Sequence, residues 1–382
     1  MKGTDSKSLI GLVGGVALCA SLLAGCSSGG GDGPGVGTTA NTAVLTTTDF
    51  QTGRLATVSL TAPYAVGTNL EDIGSDPVLR VFDGKVDVVN RSDGENVQVI
   101  DPAQGFATTA QWSAGNGSNP QDVLVRGTTA FVPRYNEGSA DDPFSDLLVM
   151  NLTDGSTVGA VDLRPYADTA TDPAMLPRPY SVMEVDGLAW VLLQQIDPSF
   201  AVYGVGCFVI VDPTSRAVVG AVVLDVQSPN AAVRFGDSIY VAANGQFSIP
   251  PTLSGGVVKV DVATRTAELL VDDDDLGSNV SDVAVVSESK GYVVVANVDD
   301  DGVPAGTNDV RVFDPRSGAV GSTVYTCPGF LPDIAWNGGS TLVVACQDFT
   351  TPGVLLIDTD TDQVVAGPLD TGLPPFSIGF LP

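Results

Sequence analysis

Residues 208–224 read FVIVDPTSRAVVGAVVL: an apolar run that ends on Asp212, a turn carrying Pro213, and a second apolar run. Val, Ile and Phe suit pleated, half-buried strands, and runs this short and this rich in β-branched residues do not build a helix. Asp fits the junction because its carboxylate can accept the amide two residues on, while Pro presets one turn dihedral. The stretch therefore predicts two antiparallel strands joined by a tight turn.

The same unit recurs along the chain. Its other copies are VLTTTDFQTGRLATVSL at 44–60, VQVIDPAQGFATTAQW at 97–112, LLVMNLTDGSTVGAVDL at 147–163, VVKVDVATRTAELLV at 257–271, VRVFDPRSGAVGSTVY at 310–325 and VLLIDTDTDQVVAGPL at 354–369. The junction residues are Asp49, Asp101, Asn151, Asp212, Asp261, Asp314 and Asp358, spaced by about 50 residues. From the second copy on, two more short strands precede each junction, such as 231–235 and 239–243 around Gly236-Asp237, or 282–286 and 292–296. Four short strands per repeat, without helical patterning, predict an all-β, seven-bladed β-propeller rather than a sandwich or a β-helix.

The first copy has no inner strands ahead of it, and the chain finishes in an unmatched inner-strand sequence, PFSIGF at 375–380. That segment is similar to PYSV at 179–182 and PQDV at 120–123. The expectation is that the first unit supplies two outer strands and the C-terminal strand closes the first blade. The propeller would then occupy residues 43–382.

At 239–244, IYVAAN, and at 291–297, GYVVVAN, the residues resemble the strand that names the YVTN-type seven-bladed propellers, and 354–380 is similar to that family's whole repeat. The resemblance covers residues 43–382 and speaks to fold. It implies either an extracytoplasmic binding protein or a lactonase-like enzyme, and no catalytic residue of such enzymes maps onto a position of this sequence.

The N-terminal end carries an address. Lys2 and Lys7 precede an uncharged apolar stretch from 9 to 23, too short for the roughly 20 residues of a membrane-spanning helix and suited to a cleaved export signal over residues 1–25. Leu23-Ala24-Gly25-Cys26 resembles a bacterial lipobox, which implies a diacylglyceryl or palmitate-bearing lipid on Cys26 and attachment to a membrane of the cell envelope. Residues 27–39, SSGGGDGPGVGTT, are too poor in apolar side chains to fold, so 26–42 reads as a lipidated Cys followed by a flexible linker. Ser27 directly after the Cys resembles lipoproteins sent to the outer membrane, where an organism has one.

Composition narrows the function. The formal charge is −28, and such a surface repels nucleic acid and anionic lipid. There is no His, which removes the commonest general base and metal ligand and weighs against an enzyme. Of the five Cys, Cys19 leaves with the signal, while Cys207, Cys327 and Cys346 remain in a compartment that permits disulfides. Cys327 and Cys346 fall at strand ends in neighbouring units and are a candidate pair; Cys207 opens a core strand and reads as a buried thiol.

A propeller separates its turns onto two faces. Short turns such as Asp83-Gly84, Arg126-Gly127, Asp186-Gly187 and Gly236-Asp237, with the seven junction turns, are expected on one face. The longer segments 61–74, 136–145, 164–176, 194–206, 244–255 and 297–307 are expected on the other, which is the candidate face for an unknown protein or small-molecule ligand.

Acidic runs fall there too: Asp141 and Asp142, then Asp272, Asp273, Asp274 and Asp275, then Asp299, Asp300 and Asp301. They make Ca²⁺ the cofactor to consider, although 299–302 lacks the alternation of an EF-hand loop. The alternating 358–362 run sits in a blade turn. Asp122, Asp282 and Asp333 recur at the openings of innermost strands. They are the candidate channel-lining carboxylates for a hydrolase, or else groups that bond the backbone of neighbouring blades.

Overall fold

The computed structural model describes residues 39–382 apart from 93, 140–141, 169–172, 247, 300–301 and 349. The leader, Cys26 and the linker up to 38 lie outside the described residues, as do Asp141, Asp300 and Asp301. The strands form seven antiparallel sheets, the blades of a β-propeller. In the second blade they run outward as Pro77–Phe82, Lys85–Asn90, Asn96–Asp101 and Ala107–Ser113. Blades three to seven repeat this order, with innermost strands Leu124–Arg126, Pro179–Val185, Pro229–Phe235, Val280–Ser287 and Gly329–Trp336.

The hydrophobic pattern explains the layering. Middle strands such as Leu188–Leu193 and Val205–Val211 are packed on both faces by neighbouring blades and read as continuous apolar runs. The outermost strand Val218–Gln227 alternates buried and exposed residues. Core clusters lie between blades: Trp190 and Phe208 of the fourth blade, edge to face at 5.6 Å, share one with Ala232, Ile239 and Val258 of the fifth. The junction residues make the expected turns: Asp212 Oδ1 accepts from the amides of Thr214 and Ser215, and Asp358 Oδ1 from those of Asp360 and Thr361.

The outer edges are covered by the turns of neighbouring blades. Arg216 donates to the Val158 carbonyl at 2.8 Å and Arg265 to that of Val219 at 3.1 Å, so edge carbonyls are occupied. At the sixth blade Gly318, with φ 74°, lies so close to the fifth that a Cβ would come within 1.8 Å of the Leu270 carbonyl oxygen.

The C-terminal strand Pro375–Leu381 is the innermost strand of the first blade and pairs with Thr42–Thr48, Leu45 opposite Ile378. The N-terminal part supplies the other three positions rather than two. Thr42–Thr48 is the second strand, Gly53–Ser59 the third, and the outer position is split between Val66–Gly67 and Asp72–Ile73. Two expectations change with it. Segment 61–74 carries both pieces of this broken outer strand rather than being a single loop of the binding face. The Asp49 turn joins second to third strand, and lies where the Thr48 amide bonds Pro374 O, at the entrance to the innermost strand.

The first described residues enter from the opposite face. Ala40 and Asn337 exchange two hydrogen bonds, Ala40 N to Asn337 O at 2.9 Å and Asn337 Nδ2 to Ala40 O at 3.0 Å. Asn337 begins the short turn between the two inner strands of the seventh blade. The chain thus joins the disc on its short-turn face.

Candidate functional site on the long-loop face

The innermost strands form a stitched ring. Asp122, at the opening of the third blade, accepts from its own neighbour Val123 and from Val182 N of the fourth blade at 2.9 Å. Asp282 does the same with Val283 N and with Ile334 N of the seventh blade, and Asp333 accepts from Ile378 N of the first. Ser377 Oγ accepts from Leu79 N of the second blade. The three carboxylates are at most 2 % exposed; each accepts a backbone amide of the next blade, Asp122 also pairs with Arg80, and Asp282 lies beside Asp333. Burial raises the pKa of Asp282 well above the usual carboxylate range, and the charge of Asp333 beside it adds to the rise.

At the short-turn end Phe235 and Trp336 meet across the ring with centroids 6.3 Å apart, which narrows the channel there. The opposite mouth is rimmed by arginines and aromatics. Arg91 pairs with Asp76, donates to Gln121 Oε1 and lies 5.5 Å from the Phe376 ring, which packs edge-on against Phe50. Arg134 makes a two-bond ion pair with Asp146 and contacts Asp142, its guanidinium over Phe144.

Arg178 enters from the connection between the third and fourth blades, immediately before the innermost strand Pro179–Val185. Its guanidinium lies 4.1 Å from the Phe200 centroid and 5.1 Å from that of Tyr135, whose rings stack on each other at 6.4 Å. Tyr135 Oη donates to Gln194 Oε1 at 2.7 Å, and Gln194 Nε2 to Pro229 O, which ties three blades together at the mouth. Asn136, Gln194, Asp197 and Phe200 of the long segments 136–145 and 194–206 complete this cluster.

The described residues of the acidic runs do not converge. Asp272 caps the four-residue helix Asp273–Leu276 by accepting from Asp274 N. Asp273 turns inward, accepts from Gly255 N at 3.0 Å, and is pushed up to about 6 by burial. Asp275 and Asp272 instead line an open groove of about 480 Å³ on the outer rim, with Arg311 and the 317–321 turn. Asp299 Oδ1 accepts from Val303 N within its own turn. Among the described residues no three acidic or Cys side chains stand close enough to hold a metal ion.

Cys327 and Cys346 are joined in a disulfide that ties the outer strand Val320–Cys327 of the sixth blade to the second strand Thr341–Asp348 of the seventh. Cys207 is a buried thiol, pushed up to about 11 by desolvation.

The buried arginines leave little trace in the sequence. One signal was present: Arg134 interrupts the apolar strand Thr129–Glu137, and a charge inside a buried strand requires a partner. Arg178, in contrast, stands in a loop, and its ring neighbours come from distant segments.

No family model matches the chain, and no curated protein is similar to it in sequence. Solved structures share its fold at low identity. A putative 6-phosphogluconolactonase from Bacteroides fragilis aligns with TM-score 0.58 and 12 % identity, covering 90 % of this chain and 98 % of its own. A functionally unknown protein from Desulfotomaculum acetoxidans gives 0.56 and 13 %, covering 89 % and 98 %. The computationally designed Ika8 protein gives 0.53 and 13 %, covering 91 % and 92 %. At these identities the likeness establishes the β-propeller and nothing about activity.

Proposed function

We propose that this chain is an extracytoplasmic lipoprotein of the YVTN type, tethered through Cys26, whose propeller binds a partner with its long-loop face. The observation that carries the reading is the direction of entry. Ala40 is fastened to Asn337 on the short-turn face, so a lipid tether pulls on that side and turns the opposite side outward. A linker over 26–38 has an r.m.s. reach on the order of 20 Å, comparable to the thickness of the disc, which disfavours turning the disc over. The partner is a protein or small molecule; the −28 charge disfavours nucleic acid.

A hydrolytic reading would rest on the neighbouring Asp282 and Asp333 carboxyls and on the lactonase-named structural neighbour. Both carboxylates, however, are buried and already accept backbone amides. The binding reading therefore stands first.

Two measurements test it. Cys26→Ser should move the protein from the membrane to the soluble fraction and abolish palmitate labelling; retention on the membrane would overturn the tether. Capture of partners by the chain should be lost when 136–145 and 194–206 are shortened and kept when short-turn residues are changed. The reverse pattern would assign binding to the other face.

A further inference from the structure

Four arginines are buried, and three of them have a carboxylate: Arg80 has Asp122, Arg91 has Asp76, and Arg134 has Asp142 and Asp146. Arg178 is 3 % exposed and makes no ion pair among the described residues. Among the described residues its Nη atoms reach only oxygens of Tyr135, Asn136 and Asp197, all at 3.3–3.5 Å, and its Nε–H has no acceptor. The Asp197 carboxylate is not the missing counter-ion, because it is engaged inside its own turn by the amides of Ser199, Ala201 and Val202. Burial lowers the pKa of Arg178, as expected of a cation held out of water with no ion pair among the described residues.

The lid over this charge is a single ring. Phe200 is 38 % exposed, sits at the tip of the Asp197 turn with φ 61°, and covers the guanidinium from solvent. Moving that turn would uncover a guanidinium whose Nε–H has no acceptor among the described residues and whose Nη1 meets only the weak Tyr135 and Asn136 oxygens. A guanidinium edge is the geometry that takes two oxygens of one anion at once.

We propose that Arg178, beneath Phe200, receives an oxyanion, the carboxylate or phosphate group of a ligand that binds the long-loop face. This rests on the binding reading above and adds the chemical class of the ligand. It makes the blade three to four side of the mouth a cationic spot on an otherwise acidic molecule.

The test uses the full chain in detergent, titrated with sodium phosphate and, separately, sodium succinate, at an ionic strength fixed with chloride. At least one anion should raise the unfolding temperature saturably, as a ligand specific for the native state does. Arg178→Met should abolish the response, Arg178→Lys should weaken it about tenfold through loss of the fork, and the exposed Arg316→Met should leave it unchanged. Phosphate acting without succinate identifies a phosphate site, and the converse a carboxylate site. No saturable response in the wild type, or an equal one in Arg178→Lys, overturns the proposal. If Arg178→Met still captures the partner of the long-loop face, only the anion assignment falls and the binding reading survives.

Discussion

Arg80 and Asp122 meet across the boundary between the second and third blades, Nε to Oδ1 at 2.9 Å, with side chains 3 % and 1 % exposed. Asp122 also accepts Val182 N, so one carboxylate holds three blades in register. Burial works against its charge, and Arg80 offsets that penalty. Asp122→Asn keeps the shape but leaves Arg80 buried without its counter-ion, and should cost about 3–5 kcal/mol in denaturant unfolding. Adding Arg80→Leu should restore much of the loss, because the stranded charge leaves while Asn can still accept an amide.

Asp87 lies on the second strand of the second blade, 2 % exposed, and is pushed up to about 7 by burial. In the unfolded chain it titrates near 3.9. Between these values the native state binds the extra proton, so stability from this group is fullest below about pH 4 and falls as pH rises to about 7. Asp87→Asn, which cannot ionise, should flatten the decline between pH 4.5 and 7.5 and be more stable than wild type at pH 8. Parallel slopes for the two proteins in chemical denaturation would refute the assignment.

Much of the fold was legible because blades are made from local units. Apolar runs closing on Asp or Asn gave the hairpins, and repetition gave the ring. The first blade was misread for a physical reason: the apolar, Asp, apolar pattern at 44–60 is the same whether its strands stand second and third or third and fourth. Only pairing with 375–381 decides between them, and pairing is not a local property. The recurrence of Asp122, Asp282 and Asp333 was visible, while their amide partners one blade away were not. Arg178 was hidden because its environment assembles from segments 135–136, 178 and 197–200.

The Cys327–Cys346 disulfide spans a sequence separation of 19 and links the sixth blade to the seventh. Closing a loop of that size restricts the unfolded chain by about 3 kcal/mol. Cys327→Ser with Cys346→Ser should lower the unfolding temperature by several degrees, and reductant should have no further effect on that variant. Hydrogen exchange should quicken first in Val320–Cys327, the outer strand the bond secures.

Ring closure makes the last prediction. Residues 375–381 cover Val44, Leu45 and Thr46, all fully buried, and lend Ser377 Oγ to Leu79 N and the Ile378 amide to Asp333. A chain ending at 374 would keep every strand of blades two to seven, yet expose the apolar inner side of Thr42–Thr48 and a row of unpaired backbone groups. It would also take the Ile378 amide from Asp333, and uncover the edge of Arg91 by removing Phe376. A simple loss of one strand's contacts would leave a less stable monomer; an opened ring presents an edge that pairs with its like. The truncated chain should therefore elute as oligomers or aggregate, and a synthetic peptide of residues 375–382 added in excess during refolding should shift it back to monomer. A monomeric, cooperatively unfolding truncation would show that blades two to seven hold the ring without this strand.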